Sequence, residues 1–243
     1  MPVPAVRALL DLLFPPLCHV CREFIPDAGD LEICSRCMEK IPKLVSPLCP
    51  VCGAPFATED DGDHLCGPCL LHHPPFLAAR SATLYSGPVQ GLIHRLKYGK
   101  KVHLARPLGL LAAGCLASFV EEKAPDLIVP VPLHRKRLRQ RGFNQSQLIA
   151  AVLGKAWGVP LVVGNLRRVR WTEPQTGLAA AERGGNVRDA FAVRNAEGVR
   201  GKRVLLVDDV FTTGSTVRAC AEPLQEAGVA DLLVVTVARG MPP

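Results

Sequence analysis

The sequence predicts an α/β chain in which a mostly parallel sheet, covered by helices on both faces, follows a small cysteine-rich module. Three observations carry this. From residue 76 onward, β-rich runs alternate with stretches of helical periodicity. All eight cysteines of four CxxC pairs fall within the first 70 residues. The aliphatic run VLLV (204–207) ends in two adjacent aspartates, Asp208 and Asp209, and is followed by FTTGST.

The elements follow in order. AVRALLDLLF has an apolar face at helical spacing, interrupted by Asp11 and ended by prolines 15 and 16. It is too short for a membrane span of roughly 18–20 residues and lacks the centre and cleavage site of a signal peptide. It predicts a short docking helix on a cytoplasmic protein. The cysteine pairs come next, and HHPPF (72–76) reads as a linker, giving a module over 1–75 and a larger domain over 76–243. SATLYS alternates as a strand, GPVQGLIHRLKYGKK suggests a short helix with a basic end, and 104–122 predicts a stronger helix. DLIVPVPL (126–133) is a strand that yields to a loop at its prolines. HRKRLRQRG is a basic loop or helix start, and FNQSQLIAAVLGKAWG an amphipathic helix stopped by Gly158. PLVVG is a candidate strand, 165–189 is polar and arginine-rich, and FAV is a short strand. RVLLV reads as a buried strand, STVRACAEPLQEAG as a helix, and DLLVVTVAR as the last strand.

Charge divides the chain. Residues 1–79 hold 5 Lys/Arg against 10 Asp/Glu, a net of −5, whereas 80–243 hold 24 against 12, a net of +12. A basic second part suits phosphate-bearing partners, either a small phosphorylated metabolite or a nucleic-acid backbone. With 48% hydrophobic and 21% charged residues, the chain has material for a core, and disorder is excluded as its general state.

The cysteine pairs are Cys18/Cys21, Cys34/Cys37, Cys49/Cys52 and Cys66/Cys69, with 12 residues between the first two pairs and 13 between the last two. A CxxC turn sets two thiolates close enough to share a tetrahedral ion, and a second turn completes the shell. Gly53 and Gly67 suit knuckles that need positive φ. The intervening stretches are too poor in apolar residues to fold unaided, and metal binding supplies the missing energy. Disulfides require an oxidising compartment, and a redox CxxC stands alone after a strand. Two structural zinc sites are therefore expected, paired sequentially or interleaved. His19, His64, His72 and His73 lie near the knuckles and read as solvated, while Cys115 and Cys220 read as core.

Ligands of open α/β sheets bind beyond the carboxyl ends of the strands. That rule brings the end of 126–133 and the start of 208–216 to one rim. Paired carboxylates there accept hydrogen bonds from adjacent hydroxyls, such as a ribose diol, or act through magnesium. Thr212, Thr213, Gly214, Ser215 and Thr216 offer small hydroxyls, close backbone approach and a helix N-terminus that attracts an anion. A capped helix needs one acid and explains neither the second nor TTGST. The segment lacks the lysine and first glycine of a Walker A loop, and GxGxxG is absent.

This segment resembles the phosphoribosyl pyrophosphate (PRPP) motif of type I phosphoribosyltransferases, which bind PRPP with magnesium and move its ribose phosphate onto a nitrogen base. With the CxxC-rich start, LIHRLKYGKK, VPVPLHRKRLRQRGFNQS (129–146) and EPQTGLAAAERGGNVRDAF (173–191), nearly the whole chain resembles the ComF family. The resemblance implies a type I phosphoribosyltransferase-like sheet behind a double zinc ribbon. It implies a link to natural competence: uptake and handling of single-stranded DNA with an uptake machinery at the inner face of the membrane. Asp208 and Asp209 then hold the ribose, and 212–216 its phosphate. His134, Arg135 and Lys136, after Leu133, approach the pyrophosphate, and Arg137, Arg139 and Arg141 extend the positive surface. Gln175, Arg183 and Asn186 lie where a flexible loop closes over PRPP, with Arg183 toward the departing pyrophosphate. Lys97 and Tyr98 face the site.

Two functions remain open at this point. One is a magnesium-dependent phosphoribosyltransferase, in which the C1–pyrophosphate bond breaks with oxocarbenium character. The other is a nucleic-acid-handling protein that keeps the PRPP site as a sensor. In it, residues 134–141 and RRVRW (167–171) contact phosphates and Trp171 stacks on bases.

Overall fold

A computed structural model describes residues 15–26, 29–57, 62–170 and 190–241. The N-terminal helix expected over AVRALLDLLF and the polar segment with Trp171, Gln175, Arg183 and Asn186 lie outside the described residues.

Four strands, β1 (Ala78–Leu84), β2 (Leu127–Pro130), β5 (Arg203–Phe211) and β6 (Asp231–Arg239), form a fully parallel sheet in the order β1-β6-β5-β2. The centre of β5, Val204–Val207, has no exposed surface on either face. That burial explains the unbroken aliphatic run, because helices cover both sides of a parallel sheet. Each such side chain stabilises the fold by about 1.5–3 kcal/mol relative to exposure. The PLVVG segment contributes a single parallel bridge, Leu161 beside Ile128, at the outer side of β2.

One face is covered by α3 (Gly87–Tyr98), α4 (Ala105–Cys115) and α7 (Gln145–Trp157), through Leu92, Leu96, Leu108, Ile149 and Leu153. The other is covered by α8 (Ser215–Glu226), through Val217, Cys220 and Leu224. It also carries a small antiparallel pair, β3 (Leu166–Arg168) with β4 (Phe191–Val193), which inserts Leu166 and Phe191. β3 falls in a stretch read from sequence only as polar: two of its three residues are arginines, and only Leu166 is buried.

The helix expected over 104–122 is two helices. After α4 the chain bends by 64° into α5 (Ala117–Lys123). Leu116 adopts φ −110° at the bend and stays buried, as does Val120, so the break keeps the apolar stripe on the sheet. Trp157 Nε1 donates to the Ala113 carbonyl near the end of α4 at 3.2 Å. Cys115 faces outward at this corner, correcting its reading as core, whereas Cys220 is fully buried. Among the described residues no single helix is long and apolar enough to cross a membrane. The basic stretch after β2 is a helix, α6 (Arg135–Arg141), whose N-cap is His134.

Both ribbons are built into the larger domain, and each carries one short helix, α1 (Ser35–Met38) in the first and α2 (Gly67–Leu71) in the second. Leu44 N donates to Ala82 O at 3.0 Å and Leu84 N to Pro42 O at 2.9 Å, so the chain between the ribbons pairs antiparallel with the outer edge of β1. An unpaired sheet edge is thereby covered. The third knuckle packs on the same strand, with Ala79 N donating to Val51 O at 2.7 Å. Gly53 sits at φ +70°, and a Cβ there would lie 2.5 Å from the Ala79 carbonyl oxygen. Gly67 starts α2 without positive φ, so only Gly53 fits the reason given for both. Gly53→Ala is expected to lower stability by about 2 kcal/mol, combining backbone strain with the collision. The check is a drop in the urea midpoint at unchanged slope.

Candidate functional site

Each ribbon gathers its own four thiols. Cys18, Cys21, Cys34 and Cys37 form one cluster, and Cys49, Cys52, Cys66 and Cys69 the other, with the sulfurs of each within 4.8 Å of one another. The pairing is sequential. Cys21 and Cys34 sulfurs are 3.7 Å apart, and those of Cys52 and Cys66 3.5 Å. Zn–S bonds of about 2.3 Å in a tetrahedron place sulfurs about 3.8 Å apart, so both clusters fit zinc. Burial alone would raise the Cys18 and Cys49 thiols. Backbone N–H donors, including Cys34 N to Cys18 Sγ and Cys66 N to Cys49 Sγ, overcome it and hold each at about 6. A thiolate is the state a metal requires. These are structural zinc sites, each built from four cysteine ligands. His19, read as solvated, is buried beside the first cluster and pairs with Glu32 at 3.1 Å. His64 stacks on Phe56.

The second site is a crevice of about 290 Å³ at the carboxyl ends of β2 and β5. Asp208 and Asp209 lie inside β5 rather than beyond it, and Asp209 is only 3% exposed. They are more deeply set than the sequence suggested, because β5 pairs with β6 as far as Phe211. Three side chains from two helices partner them. Lys97, at the end of α3, forms an ion pair with Asp209. Gln145 Nε2 donates to Asp209 at 3.1 Å, and Ser146 Oγ to Asp208 at 2.8 Å. The Asp209 N–H also donates to the Asp208 carboxylate at 2.9 Å. Burial and then the neighbouring Asp209 push Asp208 up to about 7, against the pull of Lys97 and Ser146. Burial works against charge on Lys97, but the two aspartates outweigh it and raise its pKa.

The motif RGFNQS explains how this contact is reached. Asn144 caps α7, accepting from Ser146 N at 3.0 Å, while its amide donates to the Val131 carbonyl just past β2 at 3.0 Å. That double tie fixes the first turn of α7 over the acids, so Gln145 and Ser146 reach them. Arg141 donates to Gln145 and lies over the ring of Tyr98, which is otherwise exposed.

Just past the same carboxyl end of β5, Gly214 takes φ +75° and starts α8. Thr212 and Thr216 line the crevice. Thr213 Oγ1 donates to Ser215 Oγ at 3.2 Å, closing the turn. Of the basic residues, Arg137 and Arg168 line the crevice with Lys97 and Leu133, whereas Arg135 and Lys136 are exposed on α6. His134 accepts from Lys136 N at 3.2 Å. Arg183 lies outside the described residues. Arg168, read from sequence within RRVRW as a phosphate contact, lines the crevice with Asp208. Gln145 and Ser146 carried no chemical signal in the sequence beyond their place in RGFNQS. The crevice therefore offers hydroxyl acceptors, a helix N-terminus and two guanidinium groups in one volume.

The double zinc ribbon domain model matches residues 9–70, and the phosphoribosyl transferase domain model matches 120–241. The chain is 37% identical to the DNA utilization protein YhgH of Salmonella typhimurium over 232 residues, covering 94% of this chain and 99% of that one. It is 32% identical to competence protein F of Haemophilus influenzae over 211 residues, covering 85% and 90%. This chain belongs to the ComF family. Competence protein ComFC of Bacillus subtilis is 25% identical over 211 residues, covering 83% and 81%. The fold of this ComF-family chain is that of type I phosphoribosyltransferases, a parallel sheet with helices on both faces.

Two outcomes are expected. Metal analysis of the purified chain gives two zinc ions, and Cys49→Ser with Cys66→Ser leaves one. The second concerns pH. The pKa of Asp208 is raised from an ordinary carboxyl value of 3.8 to about 7 in the folded chain. The folded state thus holds a proton that the unfolded chain releases, and this group's favourable contribution is lost as pH rises from about 4 to about 7. Asp208→Asn should flatten the fall in urea midpoint over that window.

Proposed function

We propose that this ComF-family chain binds PRPP in the crevice above β5 and acts in the uptake and handling of single-stranded DNA. The observation that carries the reading is the meeting, in one crevice, of the Asp208–Asp209 pair and the N-terminus of α8. On this reading the aspartates accept from the ribose hydroxyls, and Thr212, Thr213, Gly214, Ser215 and Thr216 cradle the 5-phosphate. The diphosphate lies toward Arg137 and Arg168, with His134, Arg135 and Lys136 on the neighbouring α6 and its cap. Magnesium suits such a ligand because it keeps several waters and binds through one or two carboxylates plus substrate phosphates. Asp208, partly open to the crevice, is the carboxylate available for that role. Magnesium would offset diphosphate charge. The protein's own part is to orient the sugar and place cations around the leaving diphosphate.

The DNA role is supported by the chain's relatives, a DNA utilization protein and two competence proteins. It is supported too by α6, which carries five cations in seven residues beside the crevice. An inner-membrane uptake machinery is the partner that such a role implies.

Calorimetry with magnesium and PRPP should give binding that Asp208→Asn with Asp209→Asn weakens by at least about tenfold. Loss of no affinity in that double variant overturns the site. Pyrophosphate release with candidate bases or DNA then separates two roles. Release dependent on an acceptor means a transferase, and saturable binding without release means a sensor.

A further inference from the structure

The second zinc ribbon reaches the turn at Gly214 through one buried arginine. Arg239 ends β6 and is 8% exposed, yet among the described residues no carboxylate pairs with it. Its Nη1 donates to the Cys52 carbonyl at 2.6 Å, and its Nη2 lies 3.7 Å from Cys52 Sγ. The guanidinium carbon sits 4.7 Å from the centre of the Phe211 ring. Arg239 and Phe211 are partners across the β5–β6 pair, and Gly240 N donates to the Phe211 carbonyl at 2.8 Å.

Phe211 in turn supports the turn before α8. A Cβ on Gly214 would lie 2.7 Å from Phe211 Cζ, so the glycine rests directly on the tip of the ring. Phe76 meets the same ring edge-on, with centroids 6.3 Å apart. A buried guanidinium requires acceptors and a counter-charge. Four thiolates around one zinc ion carry a net charge of −2, so the Cys49, Cys52, Cys66 and Cys69 site supplies that charge at short range. The ribbon's carbonyl and sulfur thus fix the guanidinium, the guanidinium fixes the ring, and the ring fixes the turn.

We propose that Arg239 is a positioning residue that makes the conformation of the 212–216 turn depend on zinc in the second ribbon. Its consequence for phosphosugar binding rests on the function proposed above, whereas the coupling itself does not. With zinc in place, the tetrathiolate holds Arg239 on Phe211 and the turn is preformed. Without zinc, nothing ties the knuckle that presents the Cys52 carbonyl and sulfur to the other two thiols, so the guanidinium and the ring lose their clamp.

Hydrogen exchange of the full zinc-loaded chain tests this without any ligand. In Arg239→Leu, amides of residues 211–218 should exchange at least about tenfold faster, while Leu127–Pro130 in β2 and the count of two zinc ions stay unchanged. Arg239→Lys keeps the charge but lacks the fork and the stacking plane, and should release the same segment. Phe211→Leu keeps an apolar side chain in place and should do likewise, which covers an Arg239→Leu that does not fold. Emptying the second site with Cys49→Ser and Cys66→Ser should reproduce the effect. Exchange of 211–218 within twofold of the unaltered chain, in a folded Arg239 variant or in the emptied ribbon, overturns the proposal.

Two ligand probes add a readout that general destabilisation would not give. Affinity for ribose 5-phosphate should fall roughly tenfold in Arg239→Lys, and affinity for inorganic diphosphate should stay within twofold. Equal loss of both overturns the positioning role. An unaltered chain that binds no ribose 5-phosphate would remove the PRPP reading and leave the coupling to be decided by exchange.

Discussion

Two carboxylates side by side at the covered end of a parallel sheet repel each other and lose hydration together, so the surrounding protein must replace both. At about 4 Å and an effective dielectric of 20, like charges cost about 4 kcal/mol, a large share of a domain's net stability. Lys97, Gln145 and Ser146 meet that demand, one from α3 and two from α7. Their task constrains the docking of both helices, since a shift of α3 or α7 along the sheet would leave Asp209 buried without its cation or its amide donor. The Asn144 cap, tied to the Val131 carbonyl, sets the depth of α7. Much of the geometry on this face of the sheet is therefore set by a polar requirement at one end of it.

The zinc ribbons answer a different requirement at the opposite edge. β1 is an outer strand with free hydrogen-bonding groups, and the segment between the ribbons pairs with it. Two knuckles then anchor that segment. The first ribbon lies against α3 and α4, where Arg95 donates to the His19 carbonyl and Arg106 pairs with Asp30. The second lies on β1 and the end of β6, where Arg80 donates to the Pro50 carbonyl at 3.0 Å and Arg239 to that of Cys52. The module has little core of its own, and both the metal and the sheet edge hold it in shape.

Sequence periodicity and spacing made the parallel sheet, its covering helices and two four-cysteine sites legible, while the sequential grouping of the cysteines came from the structure. Each signal is local: a continuous apolar run for a strand buried on both faces, or a fixed interval between thiols. Other features depend on distant parts of the chain and left no local mark. Lys97 sits in a helix that reads as amphipathic with a basic end, and its pairing with Asp209 follows only from how α3 packs. Arg168 shares its segment with two neighbouring arginines, and its direction follows from β3 pairing with Phe191–Val193. The bend at Leu116 is equally silent, because both halves keep one apolar stripe while the helix axis turns. Arg239 reads as the basic end of a strand, yet it is buried against a zinc knuckle 187 residues away in sequence.

The charge balance of the crevice follows from these pairings. Asp208 and Asp209, taken alone, would repel a phosphate-bearing ligand at the place where the strand ends suit one. Lys97 neutralises part of that charge from within, and burial beside Asp209 raises the pKa of Asp208, which weakens its hold on a negative charge. Arg137 and Arg168 line the same crevice, while Asp208 and Asp209 take their near partners from α3 and α7. Around them lies a domain whose net charge over 80–243 is +12. The acids can thus accept hydroxyls without setting the sign of the local potential, and an anionic group is drawn to the arginines and the α8 N-terminus on either side. Separating the hydroxyl-binding role from the charge-binding role in this way lets one crevice receive a sugar and its phosphates together.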